Sequence, residues 1–122
     1  MKAVVQRVAR AAVDVDGRRV AAIETGMLIL LGVMRGDGER EVRRLAERIA
    51  RFRFFPDEDG RMNRSALDCG AAALVVSQFT LAADGRRGRR PSFDRAAGPE
   101  QAEPLYELFA RVLVELLSLI HI

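Results

Sequence analysis

The sequence predicts one α/β (α+β) domain, with a mixed, barrel-like arrangement of strands and two main helices. Three observations predict it. Short apolar, β-branched runs alternate with two segments of helical period; Gly, Pro, Asn and Asp cluster between them; and no repeat or low-complexity linker divides the chain. At 122 residues there is chain for one domain, able to bury roughly 65% of the surface its unfolded form exposes.

"KAVVQRVARAAVDVDG" carries β-branched residues in patchy alternation and closes on an Asp-Gly turn signal. It reads as the first strand, "RRVAAIETG" as the second and "MLILLGV" as the third. In "DGEREVRRLAERIARFRFF" the period changes, with Val42, Leu45, Ala46 and Ile49 at helical spacing, Glu39 and Glu41 in the first turn, and Pro56 ending the pattern. The arginines of this helix read either as an RNA-facing stripe or, more in keeping with basic helical faces generally, as solvated surface. "PDEDGRMNRSALDCG" is turn-rich and leads into "ALVVSQFTLAAD". After an arginine-rich loop, "GPEQAEPLYELFARVLVELL" gives the second helix, its apolar stripe formed by Leu105, Leu108, Phe109, Val112, Leu113 and Leu116. Pro99 suits a helix start; Pro104 lacks a backbone donor and is expected to delay or kink the entry.

Composition narrows the function classes. Cys69 is the only cysteine, so an internal disulfide is impossible and a reducing, cytoplasmic setting fits best. No apolar run approaches the ~20 residues of a membrane span, and Arg7, Arg10 and Asp14 interrupt the N-terminus too early for a signal-peptide core. With one histidine and one cysteine, a zinc site would rest almost wholly on carboxylates, so no metal or other cofactor is expected. The formal charge is +3, and the stretch Asp84 to Arg95 holds five arginines against two aspartates, which equals the excess of the whole chain.

The chemistry concentrates around "ALVVSQFTLAADGRRGRRPSF", Ala73 to Phe93. As one strand, Leu74, Val76, Gln78 and Thr80 would face one side and Val75, Ser77, Phe79 and Leu81 the other. Both faces begin apolar, which predicts a central strand whose polar end delivers hydroxyls, an amide and unpaired N–H groups to a cleft. The alternative is that Ser77, Gln78 and Thr80 only satisfy local backbone groups. The sole histidine, His121, stands at the C-terminus, so no Ser-His pair is in prospect. Chemistry here would rest on positioning and oxyanion stabilisation, with water or a substrate hydroxyl attacking a labile bond. In "GRRGRR" the glycines allow close approach to a polyanion, and guanidinium groups fit phosphates; a solvated basic loop is the alternative.

"QRV" (Gln6 to Val8), "GMLILLGV", "RFFPDEDGRMN", "VVSQFTLAAD" and "RPSF" follow one another in an order that resembles the bacterial D-aminoacyl-tRNA deacylases, from Met1 to about Leu116. "SQFTLA" is the string most characteristic of that family. The resemblance implies hydrolysis of the ester joining a D-amino acid, or mischarged glycine, to the terminal adenosine of tRNA, which releases free tRNA in translation quality control. It implies a homodimer with no membrane attachment. Ser77, Gln78, Phe79 and Thr80 would line the pocket, and the backbone N–H groups of Phe79 and Thr80 are the candidate oxyanion donors. Thr80 resembles a residue once proposed as nucleophile, but no base is visible to activate it, and the adenosine 2′-hydroxyl is favoured instead. Arg86, Arg87, Arg89 and Arg90 would hold the tRNA through its phosphates. Arg7 resembles the arginine anchoring the family's chirality-checking loop.

Family members continue past the second helix into strands bearing a Gly-cis-Pro dipeptide that excludes L-amino acids from the partner subunit's pocket. Residues 1–116 are therefore expected to form an incomplete deacylase-like domain. Leu117 to Ile122, "LSLIHI", is similar to an in-frame translation of a transposon end used in sequencing libraries, and is expected to be a non-native tail. A non-catalytic tRNA-binding module and an inactive fragment are the competing expectations.

Overall fold

A computed structural model describes residues 1–117 and the backbone of Ile120 and His121. The expected tail thus lies for the most part outside the described residues, as does the His121 side chain. Four strands, not three, precede the first helix: β1 (Lys2–Val8), β2 (Ala11–Val15), β3 (Arg18–Ile23) and β4 (Gly26–Gly32). The first expected strand breaks at Ala9–Arg10, and its second half instead forms a hairpin with β3. That hairpin turns through Asp16 and Gly17, both with positive φ (50° and 77°), the backbone that matches the twist of paired strands.

The helix α1 (Glu39–Arg51) starts at Gly38, whose N–H donates to the Glu41 carboxylate at 2.9 Å. It ends before Pro56 is reached, and its Val42, Ala46, Ile49 and Ala50 are buried. Arg43 and Arg51 pair with Glu39 and Glu47 one turn earlier on the same exposed face, contacts worth about 0.3–0.5 kcal/mol each. The turn-rich stretch contains more structure than its composition suggests: β5 (Phe55–Pro56), β6 (Met62–Arg64) and a short α2 (Ala66–Cys69) capped by Ser65 and Asp68. Next come β7 (Ala72–Ser77), a 3-10 helix (Phe79–Ala82), α3 (Pro99–Leu117) and the two-residue β8 (Ile120–His121). Pro104 lies inside α3 without delaying its start. It sits within the second turn, so its missing donor costs one intrahelical hydrogen bond.

Among the described residues the strands do not close into a barrel. One four-stranded sheet runs β1-β4-β7-β8, and β2-β3 and β5-β6 are separate two-stranded ribbons. β4 pairs antiparallel with β1 and parallel with β7. One face of the sheet carries Met27, Ile29, Leu31, Ala73 and Val75 against α1 and α3, whose Val42, Ala46, Phe109 and Leu113 complete the core. Leu74, on the other face, is also fully buried, so β7 is an interior strand over its first half, as its apolar run suggested. Gly26 makes the β4–β7 contact possible, because a Cβ there would lie 2.1 Å from the Ala72 carbonyl oxygen.

The strand of the opening motif stops earlier than alternation implied. The Gln78 N–H takes the Leu31 carbonyl at 2.8 Å, after which Leu81 N–H folds back to Gln78 O at 3.3 Å and Ala83 N–H to Thr80 O at 3.1 Å. The expected facing of Gln78 with Thr80, and of Phe79 with Leu81, is therefore replaced beyond Ser77 by a turn with three residues per revolution. Gly32 provides the room: a Cβ at this position would meet the Leu81 Cβ at 3.0 Å and the Gln78 oxygen at 3.2 Å.

Candidate active site

Where β7 ends, the chain borders a cleft of about 550 Å³ lined by Ser77 and Phe79 from the strand end, Ala96 and Ala97 from the loop, and Pro99, Ala102, Glu103 and Tyr106 from α3. The strand end thus meets α3 and the loop that leads into it around the "SQFTLA" segment. Tyr106 secures the strand to the helix, its hydroxyl donating to the Val75 carbonyl at 2.6 Å. Burial pushes the Tyr106 hydroxyl above the usual phenol range, so it remains a donor.

The 3-10 turn shapes the donor groups of this cleft. In a helix the first N–H groups lack intrahelical acceptors. Here Gln78 N–H is taken by Leu31, while among the described residues neither Phe79 N–H nor Thr80 N–H donates to another backbone group. Two adjacent backbone donors are thus left open beside the cleft. The Thr80 hydroxyl accepts from the Gln78 side-chain amide. A donor in that position orients the hydroxyl but takes no proton from it, which leaves Thr80 without a base to make it a nucleophile. Of the four residues expected to line the pocket, Ser77 and Phe79 line the cleft, whereas Gln78 and Thr80 are not among its lining residues.

Phe79 is 61% exposed, and its ring meets that of Phe93 edge-on at 5.4 Å between centroids. Such a pair presents an apolar shelf able to receive a base or an aromatic side chain. Phe93 was missed as a site residue, although "RPSF" had been noted as a motif; only the fold brings it to Phe79. Tyr106 and Glu103 were missed because they lie on a helix whose legible signal was its apolar stripe.

The arginine loop closes through Asp84 and Ser92, which exchange backbone hydrogen bonds at 2.7 and 2.8 Å. Its four arginines divide. Arg86 is held in a forked pair by Asp84, with Nη2–Oδ2 at 2.7 Å and Nε–Oδ1 at 2.9 Å. The Arg86 guanidinium, then the Arg86 backbone N–H, hold the Asp84 carboxyl at about 2. Arg86 is therefore tied to its own loop, although its side chain is 77% exposed. Arg87 lines a second hollow of about 500 Å³ with Asp84, Ser92, Asp94 and Arg95. Arg89 and Arg90 are exposed beyond Gly88, whose φ of +65° reverses the chain.

Arg7 is not brought to this site within one chain. Strand register sets Arg7 beside Met27 and Ala73, while Ser77 aligns with Leu31 and Ala3. Four residues of strand separate the two levels, roughly 13 Å. Among the described residues no cluster of His, Cys, Asp and Glu has the makings of a metal site, and no helix is long and apolar enough to cross a membrane.

The chain is similar to known proteins along nearly all its length. The D-aminoacyl-tRNA deacylase of Roseiflexus castenholzii is 61% identical over 116 residues, covering 95% of this chain and 74% of that protein. The D-aminoacyl-tRNA deacylase of Symbiobacterium thermophilum is 58% identical over 113 residues, covering 93% and 75%. The chain therefore spans about three-quarters of the length of these relatives. A solved structure described as c-Myc DNA Unwinding Element Binding Protein superposes with a TM-score of 0.92 at 40% identity, covering 98% of this chain and 82% of that one. A probable eukaryotic D-amino acid tRNA deacylase shares the fold, with a TM-score of 0.78 at 16% identity, over 96% and 68%. The family model described as D-Tyr-tRNA(Tyr) deacylase matches residues 4–120, and this chain belongs to that family.

Proposed function

We propose that this protein hydrolyses the ester between a D-amino acid and the terminal adenosine of tRNA, releasing free tRNA, through the cleft at the end of β7. The observation that carries this reading is the pair of open N–H groups, Phe79 and Thr80, beside a cleft that Ser77, Phe79, Glu103 and Tyr106 line. An aminoacyl ester is already activated, so a modest lowering of its barrier suffices. The Phe79 and Thr80 amides stabilise the negative charge that develops on the carbonyl oxygen. The attacking oxygen comes from water or from the adenosine 2′-hydroxyl, with Gln78 and the Thr80 hydroxyl fixing the turn that carries the donors. The ring of Phe79, backed by Phe93, holds the terminal base or the aminoacyl side chain. The Glu103 carboxylate complements the α-ammonium of the bound amino acid. Arg87, Arg89 and Arg90 attract the phosphate backbone, and Arg86 shapes their loop.

The same donor pair acts on mischarged glycyl-tRNA, since backbone amides make no demand on a side chain. The protein works in the cytosol as a homodimer, and Arg7, remote from the cleft of its own chain, serves the partner-facing chirality check. Hydrolysis of D-tyrosyl-tRNA and L-tyrosyl-tRNA by the purified chain tests the reading. Release from the D-ester supports it, with the L-ester spared by a version extended at the C-terminus by the family's Gly-cis-Pro strands. Tight tRNA binding without turnover of either ester would instead favour a non-catalytic RNA-binding module.

A further inference from the structure

The segment Asp94–Ala97 runs along three hollows. Ala96 and Ala97 line the cleft at the end of β7; Asp94 and Arg95 line the hollow beside the arginine loop; and the same two residues line a third hollow, of about 440 Å³, together with Lys2, Met34, Arg35 and Gly36. The segment is firmly placed. Arg35 N–H donates to the Arg95 carbonyl at 3.0 Å, Ala97 N–H to the Val33 carbonyl at 2.9 Å, and Met34 bridges Ala96. The loop before α1 is fixed in turn by the Gln101 side chain, which donates to the carbonyls of Arg35 at 2.6 Å and Asp37 at 3.1 Å. Arg35 and Arg95, sixty residues apart in sequence, are thus set side by side by main-chain contacts, to which Arg35 adds a long side-chain bond, Nε to the Ala96 carbonyl at 3.4 Å.

Charge in this third hollow is unbalanced. Lys2, Arg35 and Arg95 face it with a single exposed carboxylate, Asp94. The nearby Asp37 carboxylate is occupied by the Met1 amine and the Met34 N–H, each at 2.7 Å, and Asp84 by Arg86. Among the described residues, none of Lys2, Arg35 and Arg95 is in a side-chain ion pair.

We propose that Lys2, Arg35 and Arg95 form a phosphate track for the RNA strand leading away from the terminal adenosine, adjoining the arginine-loop hollow through Asp94 and Arg95 and leading to the cleft along Ala96 and Ala97. This rests on the deacylase reading, which seats that adenosine in the cleft. Phosphate contacts place a nucleic acid without reading its sequence, and guanidinium groups suit them by their forked geometry. The track therefore serves tRNAs irrespective of the amino acid carried.

The test is the salt dependence of binding by the full chain to uncharged tRNA, for wild type, Arg35→Ala/Arg95→Ala and Arg35→Lys/Arg95→Lys. An amide-linked D-tyrosyl-adenosine reports on the cleft alone. Each lost phosphate contact lowers the slope of log affinity against log salt by about 1, so the alanine pair is expected to lower it by about 2. The lysine pair should restore most of that slope, and analogue affinity should be the same in all three proteins. A single-stranded 3′-end oligonucleotide and an acceptor-stem minihelix show whether the phosphates lie in the unpaired end or the stem. An unchanged slope overturns the proposal, as does a parallel loss of analogue affinity, which would mean that the substitutions act through the cleft. A wild-type protein that ignores the analogue yet shows the slope change would refute the deacylase reading and leave the track standing.

Discussion

The Tyr106 hydroxyl ties α3 to the last residues of β7, and Tyr106→Phe removes that tie while leaving the ring in place. The bond is short, 2.6 Å from the Tyr106 oxygen to the Val75 carbonyl, and Val75 is 1% exposed. A net hydrogen bond is worth about 1 kcal/mol, and leaving a buried carbonyl unpaired adds to the loss. The hydroxyl borders the cleft, so water can partly replace it, and the expected destabilisation is about 1–1.5 kcal/mol. With an unfolding entropy of about 2.1 cal/mol/K per residue, a chain of this length should lose about 4–6 °C in Tm. Thermal unfolding followed by circular dichroism measures it. A pH arm adds a second check. The folded Tyr106 pKa lies above its ordinary 10.0, so its contribution is complete below that value and is lost as pH rises through the folded pKa. Tyr106 is the only tyrosine, so near-ultraviolet phenolate absorbance reports its titration directly. A Tm within 1 °C of wild type, with the same alkaline behaviour in both proteins, would refute the reasoning.

Two further outcomes are expected. Gly32→Ala places a Cβ 3.0 Å from the Leu81 Cβ and 3.2 Å from the Gln78 oxygen; it should displace the 3-10 turn and cut D-ester turnover at least about tenfold, at a stability cost of about 1–3 kcal/mol, read from kinetics and a melt side by side. The Asp84 carboxyl is held at about 2 by Arg86, so its contribution to loop order is present above its ordinary 3.8 and is lost as pH falls through about 2. Hydrogen exchange at Arg86 and Ser92 should therefore quicken over that acid window, and Asp84→Asn should show weak protection already at neutral pH.

What was legible in the sequence was whatever a period could carry. The stripe from Leu105 to Leu116 lies against the core as its spacing implied, and Val42, Ala46 and Ile49 are buried as expected. The parallel partnership of β4 and β7 had no local signature, because parallel strands are joined by long connections. Alternation failed at Ser77 because a short run of mixed residues reads alike as a strand end and as a 3-10 turn. What decides between them is Gly32, on a different strand, which leaves space for Leu81. The two short ribbon strands and α2 fell below the length at which periodicity is readable. Ser77 and Phe79, which line the cleft, were legible because the motif itself holds them. Tyr106, Phe93, Arg35 and Arg95 became visible only when the fold brought them together. The pairing of Arg86 with the aspartate two residues before it was likewise not legible in a run of four arginines.

The most direct measurement compares kcat for D-tyrosyl-tRNA between Phe79→Pro and Phe79→Ala. Both lose the ring, but only proline removes the backbone donor. Position 79 begins the 3-10 helix, where a missing N–H breaks no intrahelical bond, and follows a residue outside the α region, Gln78 at φ −145° and ψ 91°. Removing one oxyanion donor costs about 10²–10³ in kcat, so the proline variant should turn over at least about 100-fold more slowly than the alanine variant at similar KM. Equal turnover by the two folded variants would contradict the claim that main-chain amides at the end of β7 perform the hydrolysis.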